Sequence, residues 1–404
     1  MSGKDDQPVN PSINLISGEF WGRNPHDEMT WMRENAPVYW DANAGVWGVS
    51  KHADLKHASR TPDVFSNAQG IRADTFPLPM MIDMDDPAHK MRRKLVSAGF
   101  TPRRVADQES YLRRICDEII DDVCERGECD FVSDIAALLP LIVIADALGV
   151  APSDRATLLR WSDDMLSGLT GGDDPDLLVR AGEAFTGFTE YAAGAISARR
   201  GCPMDDLLSL LVHAEIDGDR LDQDSLVQES LLILIGGDET TRHVISGGMY
   251  QLALHPAQRR RLVDNPSLIP TAVEEMLRWV SPIKNMNRTA TRDFTLNGRD
   301  ISEGDKVLLL YPSANRDADV FADPFAFDVT RTPNDHIAFG NGPHFCLGNS
   351  LARLELKVMF ERLLARLPDI EPVDETEPAY RPANFVSGYE SMKVRFTPTP
   401  RSAR

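Results

Sequence analysis

The stretch Phe339-Gly340-Asn341-Gly342-Pro343-His344-Phe345-Cys346-Leu347-Gly348 places a single cysteine in a glycine-rich turn. Its glycines lack a Cβ, so the backbone can approach a flat ligand closely. A thiolate held in such a turn also needs backbone N–H groups that stabilise its charge, and a tight glycine turn supplies them. An axial sulfur ligand of haem iron has these requirements. The stretch therefore predicts that Cys346 is a haem ligand.

The composition indicates a soluble globular protein, because 42% of the 404 residues are hydrophobic and 26% are charged. A net charge of −19 argues against nucleic acid as a partner. Five cysteines form a sparse, odd set that is typical of a reducing cytoplasm. Residues 1–20 contain no apolar run of the length of a signal peptide or membrane anchor. We expect a cytoplasmic protein without a membrane anchor.

The chain contains no visible repeat or linker, so we expect a single domain over residues 1–404 with flexible tails at about 1–11 and 399–404. Residues 88–280 have a helical pattern punctuated by prolines near helix ends. Short strand-like runs occur at 46–49, 306–311 and 392–396. The predicted fold is mainly α, a helix-rich domain with small peripheral β-sheets.

The longest predicted helix covers residues 225–254, with Asp222 or Asp224 as its N-cap. Its apolar middle contains Gly236 and Gly237, and two glycines in a buried helix cost about 1 kcal/mol each relative to alanine. The pair opens a groove for a small ligand, and the acid Glu239 and the alcohol Thr240 follow directly. Taken alone, the glycines also fit a packing contact, and Glu239 a surface position.

These features resemble the cytochrome P450 superfamily, the haem-thiolate monooxygenases. The cysteine loop, including Phe339 and Gly340, and the segment 236–241 match its patterns. The resemblance implies the cytochrome P450 fold, haem b (iron protoporphyrin IX) ligated by Cys346, and dioxygen as a substrate. It also implies that Glu239 and Thr240 deliver protons. In bacterial members of this type, electrons come from a ferredoxin and an NAD(P)H ferredoxin reductase.

Further residues match the family in chain order. Glu275-Met276-Leu277-Arg278 precedes the segment 315–328 and Arg331, and the resemblance implies that Glu275, Arg278 and Arg331 form a buried network that holds the cysteine loop. Four residues match the family's contacts to the haem propionates, namely His89, Arg93, Arg288 and His344.

Positive charge is concentrated near this predicted haem site. A solvated helix face is the simpler interpretation of the basic run 89–94. The alternative is a docking surface for an acidic ferredoxin. Its predicted members are Arg92, Lys94, Arg353 and Lys357.

Three segments, 79–87, 231–243 and 381–388, resemble the actinobacterial steroid side-chain hydroxylases, which act on the terminal methyl (C26/C27) of cholesterol and cholest-4-en-3-one during cholesterol catabolism. The resemblance implies an apolar steroid substrate. The candidate substrate-binding residues are Met80, Ile82, Leu234, Gly237, Ile283, Asn285, Met286, Phe385 and Val386.

Two alternatives remain at this stage. One is a hydroxylase of a terpene or fatty acid. The other is a non-catalytic haem-based sensor or binding protein, against which Glu239 and Thr240 argue, because ligand binding alone needs no proton delivery. We expect a monomer.

Overall fold

The computed structural model describes residue 4 and residues 7–170, 174–216 and 218–402. Helices dominate the described residues. In the first half they are α1 (Gly18–Gly22), α2 (His26–Asn35), α3 (His52–Arg60), α4 (Ala88–Ser97), α5 (Pro102–Asp107), α6 (Glu109–Val123), α7 (Leu138–Ala147), α8 (Arg155–Thr170) and α9 (Pro175–Gly201). In the second half they are α10 (Leu207–His213), α11 (Gln223–Leu254), α12 (Pro256–Asp264), α13 (Ile269–Val280), α14 (Tyr311–Ala314) and α15 (Asn349–Arg366).

The described strands are short: β1 (Val38–Asp41), β2 (Val46–Val49), β3 (Phe65–Ser66), β4 (Glu128–Asp130), β5 (Asn285–Ala290), β6 (Phe294–Leu296), β7 (Arg299–Ile301), β8 (Lys306–Leu310), β9 (Glu371–Pro372) and β10 (Lys393–Arg395). They form a five-stranded sheet in the order β1-β2-β8-β5-β3, a three-stranded sheet β4-β10-β9 and the hairpin β6-β7. Within the five-stranded sheet only β2 and β8 pair in parallel. The predicted helical fold with small sheets is confirmed.

The long helix α11 crosses the molecule, since 32 residues at 1.5 Å each span about 48 Å. It begins two residues before the predicted start, and the carboxylate of Asp222 caps it by accepting the N–H of Ser225 at 2.7 Å. One apolar cluster packs α11 against α6, α13 and α15, and a second packs it against α7, α9 and α10. The helix is therefore buried along most of its length.

The two chain ends are partly tied to the body of the molecule. The side chain of Gln7 donates to the carbonyl of Trp40 at 2.6 Å, and the N–H of Thr399 donates to the carbonyl of Cys124 at 2.9 Å. Residues 1–3, 5–6 and 403–404 of the predicted tails lie outside the described residues. Among the described helices, none combines the length and apolar character that crossing a membrane requires.

Candidate functional site

A cavity lies between α11 and the cysteine loop. Gly236, Gly237 and Thr240 line it on the α11 side, and Cys346 lines it on the opposite side. A Cβ on Gly236 would meet no atom within 4 Å, whereas one on Gly237 would lie 3.1 Å from the side chain of Ile144. Gly236 thus borders open space, as the sequence predicts, whereas Gly237 packs closely against Ile144, which is the packing contact that the sequence left as an alternative.

The cysteine loop has a backbone that only glycine adopts easily. Gly340 and Gly342 have φ of +73° and +74°, and a Cβ on Gly342 would lie 2.1 Å from the carbonyl oxygen of Ser59. The N–H of Cys346 donates to the carbonyl of Phe339 at 2.9 Å. Burial raises the pKa of the Cys346 thiol, while backbone N–H groups of Gly348 and Asn349 favour the thiolate. The loop thus holds the sulfur and supplies donors to it.

Four basic side chains surround the rim of the cavity. The rings of His89 and His344 stack at 3.9 Å between centroids, and the Arg93 guanidinium donates to the carbonyl of Phe345. Arg288 is buried beside Tyr311. Burial, together with the neighbouring His89, Arg288 and Arg93, lowers the pKa of His344 to about 3. The cluster carries an excess of positive charge.

Haem fits this arrangement on the properties of the residues present. Cys346 offers one sulfur to an iron ion from one side of the cavity. His89, Arg93, Arg288 and His344 line the same cavity, where two propionate carboxylates would relieve their mutual repulsion. Cys346 would hold the iron, and the basic cluster would hold the propionates.

The acid and the alcohol of α11 differ in their surroundings. Thr240 lines the cavity, and its hydroxyl donates to the carbonyl of Gly236 at 3.0 Å. Glu239 is fully buried and pairs with Arg242, with Arg381 at 3.1 Å and with His243 at 3.4 Å. Burial raises the pKa of Glu239, but Arg242, His243 and Arg381 outweigh it, so the pKa lies well below the ordinary range.

Two further buried acids were missed at the sequence level. Both carboxylate oxygens of Asp238 and one of Glu355 are buried without a hydrogen-bond partner in the described structure. Glu355 lines the cavity, where burial and then the charge of Asp238 raise its pKa to about 8. Burial and the neighbouring Glu239 likewise raise the pKa of Asp238. These side chains can hold protons near neutral pH, but neither has a sequence pattern that separates it from a surface acid.

Glu275, Arg278 and Arg331 meet behind the cysteine loop. Glu275 and Arg278 are fully buried and form two hydrogen bonds of 2.7 Å, and Arg331 lies 3.1 Å from Glu275. Arg278 also donates to the carbonyl of Asn315 at 2.9 Å, and the side-chain oxygen of Asn315 accepts the N–H of Ile337 at 2.8 Å. The network therefore ties α13 to the chain that leads into the cysteine loop.

The predicted docking cations are largely engaged within the molecule. Arg353 pairs with Glu274 at 2.7 Å, and Lys357 lies 3.3 Å from Glu109. Arg92 turns inward to the carbonyl of Pro79 and to α11. Lys94 is exposed.

The predicted substrate residues fall into two groups. Ile82, Gly237, Ile283 and Met286 line the cavity. Five do not line it: Met80, Leu234, Asn285, Phe385 and Val386. Their neighbours Met81 and Ile233 do, as do Leu232 and Tyr311. The side-chain direction in the loop before α4 follows no period, so the sequence could not tell Met80 from Met81.

Comparisons with known proteins agree with this site. The family model for cytochrome P450 matches residues 194–396. A steroid C26-monooxygenase of Mycobacterium tuberculosis is 53% identical over 96% of this chain and 98% of its own length. A steroid C26-monooxygenase of Mycolicibacterium smegmatis is 50% identical over 96% of this chain and 97% of its own length.

A solved structure shows the same architecture. The solved structure of a Mycobacterium marinum cytochrome P450 in complex with pseudoionone matches with a TM-score of 0.89 and 35% identity, covering 97% of this chain and all of that one. The fold and the haem cofactor with a cysteine thiolate ligand, both implied by the resemblance, are thereby confirmed. From the cysteine loop, the cavity and these relatives together, we conclude that the chain belongs to the cytochrome P450 family.

Proposed function

We propose that this protein is a monooxygenase that hydroxylates the terminal methyl of a steroid side chain, as in cholesterol or cholest-4-en-3-one. One atom of dioxygen enters the C–H bond and the other leaves as water, while two electrons and two protons are consumed. The observation that carries the proposal is one cavity that joins Cys346, the Gly236–Thr240 turn of α11 and an apolar wall. The relatives named steroid C26-monooxygenase support the substrate class.

The apolar wall suits a hydrocarbon tail. The wall contains Met81 and Ile82 from the loop before α4, Ile233 from α11, Ile283 just before β5 and Met286 within β5. A terminal methyl has no polar handle, so its position is set by shape and by the burial of the chain behind it. Methionine side chains adapt to such irregular apolar surfaces.

The chain's own residues provide the electron donor and the proton route. Haem, when bound, would supply the activation of dioxygen, and the Cys346 thiolate would donate electron density to the haem iron. Thr240 is the hydroxyl that borders the cavity, and its bond to Gly236 keeps it in place. Glu239, which precedes Thr240 on α11 and is buried against Arg242, His243 and Arg381, is the acid of this proposed route.

Electrons reach the site, in this proposal, from a ferredoxin and its NAD(P)H-dependent reductase in the cytoplasm. The chain acts as a monomer. Membership of the family supports the need for a redox partner. Since the chain has 62 acidic and only 43 basic residues, an acidic partner would dock where basic side chains are exposed.

The test is a substrate panel on the haem-loaded enzyme. Cholest-4-en-3-one is compared with the same ring system without a side chain, a terpene and a long-chain fatty acid. We expect substrate-induced haem spectral shifts with the full steroid, and a product hydroxylated at the terminal methyl when ferredoxin, reductase and NAD(P)H are added. Absence of any shift with steroids of 27 carbons would overturn the substrate assignment.

Thr240→Ala tests the proton route. Without the hydroxyl, oxygen consumption should continue while the amount of product per oxygen consumed falls at least ~10-fold, because no side chain at the cavity then directs proton delivery. Hydrogen peroxide should rise by the missing amount. Thr240→Ser, which keeps the hydroxyl, should restore coupling. Equal coupling in the alanine variant would remove Thr240 from the route.

A further inference from the structure

The loop of residues 77–84, called here the cavity loop, separates the cavity from solvent. Met81 and Ile82 line the cavity, while Leu78 is 43% exposed. The loop has a single short turn, Met81–Asp83, so its position depends on contacts with neighbouring elements. What holds this loop decides the shape of the apolar wall.

Glu229 of α11 binds the cavity loop directly. Its Oε1 accepts the N–H of Met81 at 2.8 Å, and the side chain is fully buried. Ile233, Gly236 and Thr240, which line the cavity, follow it at intervals of four, seven and eleven residues, so Glu229 continues the same stripe of the helix. The carboxylate thus lies at the end of the cavity-facing surface of α11.

Arg92 completes the attachment from α4. Its Nη1 donates to the carbonyl of Pro79 at 2.8 Å and lies 3.3 Å from Glu229, and its Nη2 donates to the hydroxyl of Ser225 at 2.8 Å. One guanidinium therefore joins the cavity loop to α11. Helix α4, which carries Arg92, also carries His89 and Arg93 at the rim of the cavity.

We propose that Glu229 is a positioning residue for the substrate: through Met81 and Arg92 it holds the cavity loop closed, and the loop loosens when this carboxylate takes up a proton. The inference rests on the proposed function only in taking the cavity as the substrate site. Glu229 touches the loop backbone and Arg92, and it acts on the substrate only through Met81 and Ile82.

The charge balance around Glu229 supports the second half of the proposal. Arg92 is the cation that faces it, and its second oxygen, Oε2, is buried without a partner in the described structure. Burial raises the pKa of Glu229 to about 7, against the opposing effects of Met81 and Arg92. Two other acids lie near these contacts of Glu229. Asp222 faces Arg92 from the N-cap of α11, and Asp83 accepts two N–H groups within the loop region.

The sign of the pH effect follows from these contacts. Above neutral pH the ionised Glu229 attracts Arg92 and strengthens its bond to Met81, so the loop is closed. Below neutral pH the neutral carboxyl loses the ion pair. A coupling of about 1 kcal/mol corresponds to an approximately 5-fold change in affinity.

The first experiment follows the loop itself in substrate-free protein. Hydrogen exchange of residues 77–84 is measured by mass spectrometry from pH 6 to pH 8, after correction for the intrinsic pH dependence of exchange. In the wild type, protection should rise with pH. In Glu229→Gln it should be low and independent of pH. Asp222→Asn, which keeps a capping side chain, is the matched control and should retain the wild-type dependence.

The second experiment follows binding by the haem spectral shift with cholest-4-en-3-one. The wild type should bind about 5-fold more tightly at pH 8 than at pH 6, and Glu229→Gln should bind at both pH values as the wild type does at pH 6. Should that variant not fold, the wild-type exchange series and Arg92→Gln carry the test.

The two proposals fail in different ways. Wild-type exchange in residues 77–84 that does not change with pH overturns the role of Glu229 even where steroid hydroxylation is observed. A pH dependence that persists in Glu229→Gln assigns the effect to a different titrating group and also overturns the role of Glu229. If the exchange of residues 77–84 changes with pH as expected but no steroid binds, only the substrate assignment is overturned.

Discussion

The buried ammonium group of Lys284 lowers the stability of the fold at neutral pH. Lys284 is buried just after the cavity-lining Ile283, its ammonium lies over the ring of Tyr380 at 5.3 Å, and it donates to the carbonyl of Ser281 at 3.3 Å. Burial lowers its pKa to about 7, and the nearby Arg316 contributes. Between pH 7 and the ordinary value of 10.5 the unfolded chain holds more protons, so stability rises with pH in this range.

Lys284→Met should therefore stabilise the protein at pH 7. The variant keeps the apolar stem and removes the desolvated charge, so we expect a Tm rise of at least ~2 °C. The gain should shrink as the pH rises toward 10.5 and vanish above it, where the wild-type lysine is neutral in both states. Thermal unfolding at pH 7 and pH 9.5 measures it, with the exposed Lys393→Met as control. A loss of stability at pH 7 would mean that the ammonium has a stabilising partner.

At the scale of elements, α13 shows the difference between buried and exposed charges. Two adjacent acids lie on this helix: Glu275 is fully buried with Arg278 and Arg331, and Glu274 is partly exposed with Arg353 and His336. Removing one partner of a buried network leaves uncompensated charge, whereas exposed pairs contribute little. The network joins the helix to the chain before the cysteine loop, so its loss reaches the haem site.

Glu275→Gln should destabilise the fold by about 3–5 kcal/mol and reduce the haem bound per protein. Glu274→Gln, one residue away on the same helix, is the matched control and should cost about 1 kcal/mol or less. Denaturant unfolding and the haem-to-protein ratio measure the two effects. Equal losses in both variants would show that burial of the network is not what holds the loop.

At the scale of the whole molecule, charge distribution governs how a redox partner approaches. The chain carries a net charge of −19, so a second acidic protein is repelled over most of its surface. Arg92, Arg353 and Lys357 are engaged with neighbouring groups, which leaves Lys94 of α4 as the exposed member of the predicted docking set. Long-range attraction of this kind is screened by salt.

Lys94→Glu should slow reduction of the protein by an acidic ferredoxin at low ionic strength. The difference from the wild type should narrow at high salt, since both charges are then screened. Stopped-flow reduction at two salt concentrations measures this, and Lys393→Glu on β10 is the control for a change in total charge. An unchanged rate at low salt would place docking elsewhere.

The sequence by itself determined the parts whose geometry is local. The turn around Cys346 needs glycine at positive φ, α11 needs an N-cap at Asp222 or Asp224, and the spacing of Glu275 and Arg278 puts both on one helical face. Local backbone preferences and helical periodicity act over a few residues, so they can be read from the chain directly.

Only the tertiary structure decided which distant groups meet. Arg381 reaches Glu239 from 142 positions along the chain, and Arg92 turns to Glu229 instead of solvent. Met81, not Met80, faces the cavity, because an irregular loop has no period that assigns its side chains to one side. Such contacts depend on the path of the whole chain and on which charged groups are buried away from water. No short sequence pattern contains either kind of information.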